Sequence, residues 1–342
     1  MARRSIERVN WDRLKGKRLT NASGVNERNV GTRFVEERLA VHYDKKTGAP
    51  TVSGGIRVEY APPALVPGAE PLDSFALFTF TTKMSCASFS MPAGLGKYFG
   101  TCPASDPELA RKYKLDAPAI DPDTGKPYEF ICSVCYAAKG RYGWAKYIHM
   151  GQEAHRIWTM KLLRKGPQEF AAAMSSAISA LQRLSDLSVA KVCDPRYFRV
   201  HDSGDMFGPH YLAGWIEVAK AMPSTRFWAP TRTWIFPEVS RTIARHGGLP
   251  PNLTLRPSAL FVNNPPPTLP GFSAGSMCAR GIQLDPLYDK QGNLVRPPVV
   301  RLPDGVWDCP AYAGGSVEHT CIAQGCRACW DEPNRPVNYR EH

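Results

Sequence analysis

The sequence predicts an α/β fold: a parallel (βα) sheet closed fully or partly into a TIM-like barrel, with irregular cysteine-rich extensions at both ends. Three observations carry this expectation. Between residues 197 and 258, short β-rich runs alternate with amphipathic helical stretches, the order that builds right-handed βαβ units and a parallel sheet. The 342 residues are 43% hydrophobic and 22% charged, an ordinary globular composition long enough for one large α/β domain with decorations. The cysteines lie mostly outside the alternating region, in the segments 83–139 and 301–342. The expected organisation is therefore a basic N-terminal extension (1–72), a barrel-like domain (73–300) with a cysteine-bearing loop (83–139), and a C-terminal cysteine segment (301–342).

Taken in order, residues 1 to about 70 read as peripheral, with 33-RFVEERLAVHYD-44 and 56-IRVEYAP-62 as short strands and 61-APPALVPGAEP-71 as a connector. The apolar, aromatic run 75-FALFTFTT-82 reads as one buried strand. After Gly143, a helix is marked by Tyr147, Ile148, Ile157, Met160 and Leu163 and stops at 165-KGP-167. A second is marked by Phe170, Met174, Ile178, Leu181 and Leu184. Then come strand 197-YFRVHD-202, helix 209–222 with proline in its first turn, strand 226-RFWAPT-231, helix 237–247 and strand 252-NLTLRPS-258. Beyond residue 259 regularity fades into the loop 264-NPPPTLPGF-272. In such a fold function is expected at the C-terminal ends of the strands.

No apolar run is long enough to read as a membrane span, and the basic start MARRSIERVNWDRLKGKR lacks the apolar stretch of a secretory signal. A cytosolic protein is expected. In a reducing cytosol, clustered cysteines are more often metal ligands or catalytic groups than disulfides. The net charge of +12 favours a polyanionic partner such as nucleic acid, although solubility alone accounts for it as well. Arg3, Arg4, Arg8, Arg13, Lys15, Lys17 and Arg18 face only Glu7 and Asp12.

The tail carries Cys309-x11-Cys321-x4-Cys326-x2-Cys329. Four thiolates within about twenty residues suit a tetrahedral zinc or an iron–sulfur cluster, and the spacing alone leaves both open. A second group is Cys86, Cys102, Cys132 and Cys135, with the pair in 131-ICSVCYAAKGRYG-143 on a loop before a helix. Cys193 and Cys278 stand apart and read as ordinary cysteines, although Cys278 lies where it could reach a cluster. The stretch 199-RVHDSGDMFGP-209 ends a strand in Ser203, Gly204 and Asp205. The glycine allows close backbone approach to a ligand, and the carboxylate can hold an amine or hydroxyl. A common strand-end turn is the plainer reading. His201 is expected to pack or hydrogen-bond. Arg232, after the next strand, is placed to bind a phosphate or carboxylate, or to lie over aromatics; Arg256 is a weaker candidate of the same kind.

These motifs together resemble the gene product 88-like family of phage proteins. The carrying stretches are 83-KMSCASFSMPAG-94, Cys102, 132-CSVCYAAKGRYG-143, 200-VHDSGDMF-207, 227-FWAPTRTW-234, 309-CPAY-312, 321-CIAQGCRACWDE-332 and His342, over roughly residues 75 to 342. The chain departs from the family pattern in having Cys86 where a glycine is usual. The arrangement is also similar to the radical S-adenosylmethionine superfamily. That similarity implies that Cys102, Cys132 and Cys135 hold a [4Fe–4S] cluster, that Ser203, Gly204 and Asp205 hold S-adenosylmethionine, and that Cys309, Cys321, Cys326 and Cys329 hold an auxiliary cluster. The gap between Cys102 and Cys132 is far longer than the superfamily's three residues. The functional expectation is a phage-encoded iron–sulfur protein in the host cytoplasm, a redox or radical enzyme acting on nucleic acid or nucleotides. The alternative is a non-catalytic protein, stabilised by an iron–sulfur cluster or zinc, that binds host nucleic acid or a host protein.

Overall fold

The computed structural model describes residues 34–46, 48–59, 74–81, 84, 86–94, 100–106, 108, 118–121, 124–139, 142, 145–280, 287–288, 294–296, 302–311, 320–321 and 323–340. The basic residues 3–18 lie outside the described residues. The chain enters as an antiparallel hairpin, β1 (Phe34–Tyr43) and β2 (Pro50–Val58), with a register shift between Glu37 and Ala40. Leu39, Ile56 and Val58 are buried in the same core as the central sheet. This hairpin thus packs inward where the sequence suggested peripheral chain.

The run 75–82 is not one strand. It splits into β3 (Phe75–Ala76), paired with β2, and β4 (Thr79–Phe80), paired with β5. Leu77 and Phe78, both buried, carry the chain from one sheet to the other. The Leu77 amide donates to the Ile56 carbonyl at 2.7 Å. An apolar run buried on both sides cannot by its pattern reveal which neighbour each half pairs with.

The central sheet has the order β4-β5-β6-β7-β8, with β5 (Ala87–Ser90), β6 (Tyr197–Ser203), β7 (Arg226–Thr231) and β8 (Leu253–Pro257) parallel and β4 antiparallel at the edge. The connections carry α1 (Lys146–Lys165), α2 (Pro167–Leu184), the one-turn α3 (Leu187–Ala190), α4 (Pro209–Ala221) and α5 (Pro237–Arg245). Sequential parallel neighbours joined by right-handed crossovers place their helices on one face, and α1, α2, α4 and α5 pack one against the next. α2, α4 and α5 each begin with proline, whose fixed φ suits the first turn. The predicted face of α2 is buried at Phe170, Met174, Ile178 and Leu181, whereas Tyr147 of α1 is exposed.

Phe89, Phe198 and Phe227 from the strands meet Trp158, Phe170, Tyr211 and Trp215 from the helices. The Trp215 ring centre lies 5.5 Å from Phe170 and 5.8 Å from Phe198. A Cβ on Gly214 would stand 2.6 Å from the Phe170 ring, so the glycine sets how closely α4 approaches α2.

Beyond β8 lies a second parallel sheet, absent from the sequence expectation. It has the order β12-β13-β9, from β9 (Ser276–Ala279), β12 (Trp307–Asp308) and β13 (Val337–Arg340). The pair β10 (Leu287–Tyr288) and β11 (Leu294–Arg296) precedes β12. A parallel bridge between Ser258 and Ser276 joins β9 to the end of β8. The described strands form open sheets. A single turn, α6 (Ala328–Asp331), sets Trp330 beneath the central sheet, its indole N–H donating to the Phe198 carbonyl at 3.0 Å.

Candidate functional site

The C-terminal ends of the parallel strands converge as the sequence placed them. Gly204, just past β6, has φ +88°; a Cβ there would stand 2.5 Å from Met91 Cβ and 2.6 Å from Thr101 Oγ1. The Ser203 carbonyl accepts from the Met91 amide at 2.9 Å, and the buried Ser203 hydroxyl has no hydrogen-bond partner among the described residues. The Asp205 carboxylate is buried. It accepts from Thr231 Oγ1 (2.6 Å), the Met206 amide (2.6 Å) and the Arg232 amide (2.9 Å). Burial raises its pKa while these donors oppose the rise. Asp205 thereby ties the end of β6 to the end of β7.

The thiols arrive on loops. The Cys102 amide donates to the Gly94 carbonyl at 3.0 Å. Cys132 and Cys135 sit on a tight turn whose Ile131 amide donates to the Leu260 carbonyl, while the Val262 amide donates back to Glu129. Cys102, Cys132, Cys135 and Asp205 lie within electrostatic reach of one another. Arg232 donates from Nε to the Ala259 carbonyl at 3.2 Å and lies within electrostatic reach of Cys132, Cys135 and Cys278. Burial pushes the Cys132 thiol up to about 11, with the Arg232 cation pulling against it. Without a metal the Cys102 and Cys132 thiols keep their protons at neutral pH, and a bound metal would have to displace them.

The tail thiols occupy the other end of the sheet. Cys329 packs with Met84, Cys86, Trp228 and Trp330. Its sulfur lies 3.3 Å from the Tyr339 hydroxyl, within electrostatic reach of Cys309 and Cys321. The Cys326 amide donates to the Cys321 carbonyl at 3.1 Å. Burial raises the Cys329 thiol to about 12. The grouping of Cys86 with Cys102, Cys132 and Cys135 is therefore corrected. Cys86 precedes β5, whose four residues span about 13 Å at a strand's rise, so it emerges at the opposite end of the sheet from Cys102. No disulfide joins any of the ten cysteines. Among the described residues no three His, Cys, Asp or Glu side chains converge on a single-ion site.

The motif reading passed over a polar cluster on β6. Thr79 Oγ1 (2.8 Å) and the Tyr142 hydroxyl (3.3 Å) donate to Asp202 Oδ2. The Tyr136 hydroxyl donates to the Asp202 carbonyl and accepts from Arg199 at 3.1 Å. Arg199 lies over the Trp228 ring, 5.0 Å from its centre, and the buried Asp202 Oδ1 has no partner among the described residues. The register shift opposite Ser88–Ser90 interrupts the simple alternation of β6, so periodicity could not show Arg199 and Asp202 together. The two tyrosines just after the cysteine pair were the available signal.

His201 packs and bonds as expected, its Nε2 2.9 Å from the Tyr211 hydroxyl. Burial, aided by the Arg199 cation, lowers its pKa to about 3. The unfolded chain, with histidine near 6.5, binds this proton first as pH falls. The stabilisation from keeping His201 neutral is complete above about pH 6.5 and is lost progressively toward pH 3. Acidification from pH 7 to pH 5 is expected to cost about 2 kcal/mol through this group. Urea midpoints at the two pH values should differ less in His201→Gln; an identical difference would assign the acid sensitivity elsewhere.

A family model described as "Gene product 88" matches residues 68–267, and the chain belongs to this family. The match takes in the strand-end motifs and the first five cysteines and stops before Cys278 and the tail. Two relatives are the "Gene 88 protein" of Mycobacterium phage L5, 30% identical over 107 residues, and that of Mycobacterium phage D29, 29% identical over 107 residues. Each alignment covers 30% of this chain and 40% of the relative. No solved structure matches. No helix among the described residues is long and apolar enough to cross a membrane.

Proposed function

We propose that the protein binds iron–sulfur clusters at two cysteine centres on a partial (βα) barrel and acts in the cytoplasm of the phage's host. The observation that carries this reading is the sorting of the thiols to the two ends of one parallel sheet. Cys132 and Cys135 stand beside Arg232, with Cys102 within electrostatic reach of both thiols, and Cys329 stands beside Tyr339 and Arg256, within electrostatic reach of Cys309 and Cys321. Cys326 joins the tail centre by its place in the turn. The donor set is soft thiolate, which suits iron–sulfur clusters and zinc alike.

A cluster held by three cysteines supplies one-electron chemistry and, through an open iron, cleavage of S-adenosylmethionine. The chain's own part is positional. Arg232 offsets thiolate charge, and Gly204 lets the end of β6 close onto Met91 and Thr101, whose atoms fill the space a Cβ would need. Asp205 already takes three donors from the protein, so its first duty is to hold the strand ends together. The +12 charge supports a nucleic acid or nucleotide as the substrate, or, in a non-catalytic protein, as the partner.

Anaerobically purified protein is expected to be brown, to contain iron and acid-labile sulfide, and to bleach with dithionite. Cys326→Ser/Cys329→Ser is expected to lower both the iron content and the melting temperature. Colourless protein with stoichiometric zinc overturns the iron reading. Reduced protein given S-adenosylmethionine separates the two roles: release of 5′-deoxyadenosine marks a radical enzyme, and an intact cluster without product or binding leaves the binding protein.

A further inference from the structure

The stretch 136-YAAKGRYGWAKY-147 interleaves basic and aromatic residues, and from 130 to 152 the sequence has no Asp or Glu. The acids that bracket it are ion-paired, Glu129 with Arg280 at 3.1 Å and Glu153 with Arg156 on the same helix. Asp202, beneath Tyr136, is buried, and its carboxylate takes donors from Thr79 and Tyr142. Cations set among exposed rings make a surface that tracks phosphates and stacks bases.

Tyr136 is held as a fixed platform. Its hydroxyl donates to the Asp202 carbonyl and accepts from Arg199 at 3.1 Å, so its polar end is tied to β6. The Tyr142 ring meets it in a T-shaped contact, 5.9 Å between centres. Tyr136 is nevertheless 46% exposed, and with the hydroxyl engaged that exposure belongs to the ring. A ring already locked in place loses little freedom when a planar ligand stacks on it.

The cations lie on the same turn and on the adjoining helix end. The turn that begins at Tyr136 closes with the Lys139 amide donating to the Tyr136 carbonyl at 3.0 Å, which sets an exposed lysine one turn from the ring. His149 Nε2 meets the Tyr142 carbonyl and so joins the start of α1 to this turn. Lys146, exposed and three residues before His149, shares its helix face. Tyr147 beside it is 59% exposed. Arg199 is half-buried over Trp228, and its hydrogen-bond partners, the Tyr136 hydroxyl and the Met84 sulfur, are neutral.

We propose that Tyr136, Lys139, Lys146 and Tyr147, backed by Arg199, form a binding surface for single-stranded nucleic acid, in which the rings stack bases and the cations take backbone phosphates. The inference rests on the nucleic-acid reading above and gives it a place, residues and a strand form. A single strand fits because its bases can splay onto the rings, whereas a duplex keeps them stacked inside. Tyr136 follows Cys135 directly, so a bound strand lies beside the strand-end thiols.

The test reads the fluorescence anisotropy of a labelled oligothymidylate, an oligouridylate and a duplex of equal length, titrated with the full-length protein over a range of salt concentrations. Wild type is expected to bind the single strands more tightly than the duplex. Tyr136→Ala and Tyr147→Ala should each weaken single-strand binding by about 10-fold, whereas Tyr136→Phe, which keeps the ring, should stay close to wild type. Lys139→Gln/Lys146→Gln should flatten the salt dependence by about 0.7 per lost phosphate contact. Tyr43→Ala and Lys45→Gln/Lys46→Gln remove the same residue types at the exposed tip of the β1–β2 hairpin and should match wild type. Should Tyr136→Ala fail to fold, Tyr147→Ala and the lysine pair carry the test. Patch variants that lose no more than the hairpin variants overturn the proposed surface and leave the nucleic-acid reading standing. Heparin bound as tightly as the oligonucleotides, with no loss in either tyrosine variant, marks a general anion surface and also overturns the proposal. Wild-type protein that binds no strand overturns the nucleic-acid reading itself.

Discussion

Arg256→Met is expected to destabilise the protein by about 3–5 kcal/mol, the scale of breaking a buried charge network. The thioether fills much of the volume but supplies no donor. The carbonyls of Ala274, Arg335 and Glu332 then lose the guanidinium fork that gathers them, and each buried orphan costs about 1–3 kcal/mol. These carbonyls belong to the loop before β9 and to the turn between α6 and β13, so the damage should centre on the second parallel sheet. Arg256→Lys should recover only part of the loss, because an ammonium cannot spread donors over a planar fork. Chemical unfolding of the three proteins measures this. A Met variant with wild-type stability would mean that the carbonyls are satisfied some other way.

Gly204→Ala is expected to cost about 2–5 kcal/mol, combining the left-handed backbone penalty with overpacking. The backbone sits at φ +88° and the new methyl would meet Met91 Cβ at 2.5 Å. Met91 is itself fully buried and cannot swing away. Relief must come from parting the ends of β5 and β6, which is where Cys102 and Asp205 are held. Loss of ligand or metal at the strand ends should therefore accompany the loss of stability. Gly151, within α1 and with open space around its Cα, is the control of opposite sign. Alanine there is expected to stabilise by about 0.5–1 kcal/mol. Equal urea midpoints for Gly204→Ala and wild type would remove the steric argument.

The strand–helix alternation from 197 to 258 was legible because each element is long enough to repeat its period and is punctuated by proline or glycine. The strands β9, β12 and β13 were not, since two to four residues carry no period and exist only by pairing with one another. The Ser203–Asp205 turn was legible as a strand end, but the three donors that occupy Asp205 come from the turn itself and from the next strand. Arg256 read as a weaker strand-end candidate for binding a phosphate or carboxylate; it is a buried hub, because the tail folds over it.

By itself the sequence determined that a parallel βα sheet would form, that its strand ends would gather Gly204, Asp205 and Arg232, and that the cysteines would be thiols rather than a disulfide framework. These follow from local periodicity, backbone allowance at glycine and the chemistry of side-chain types. Only the tertiary structure decided which thiols share an end of the sheet. Chain neighbours such as Cys86 and Cys102 are parted by the length of a strand, whereas Cys86 and Cys329 are brought together because burial of Trp228 and Trp330 draws the tail under the sheet.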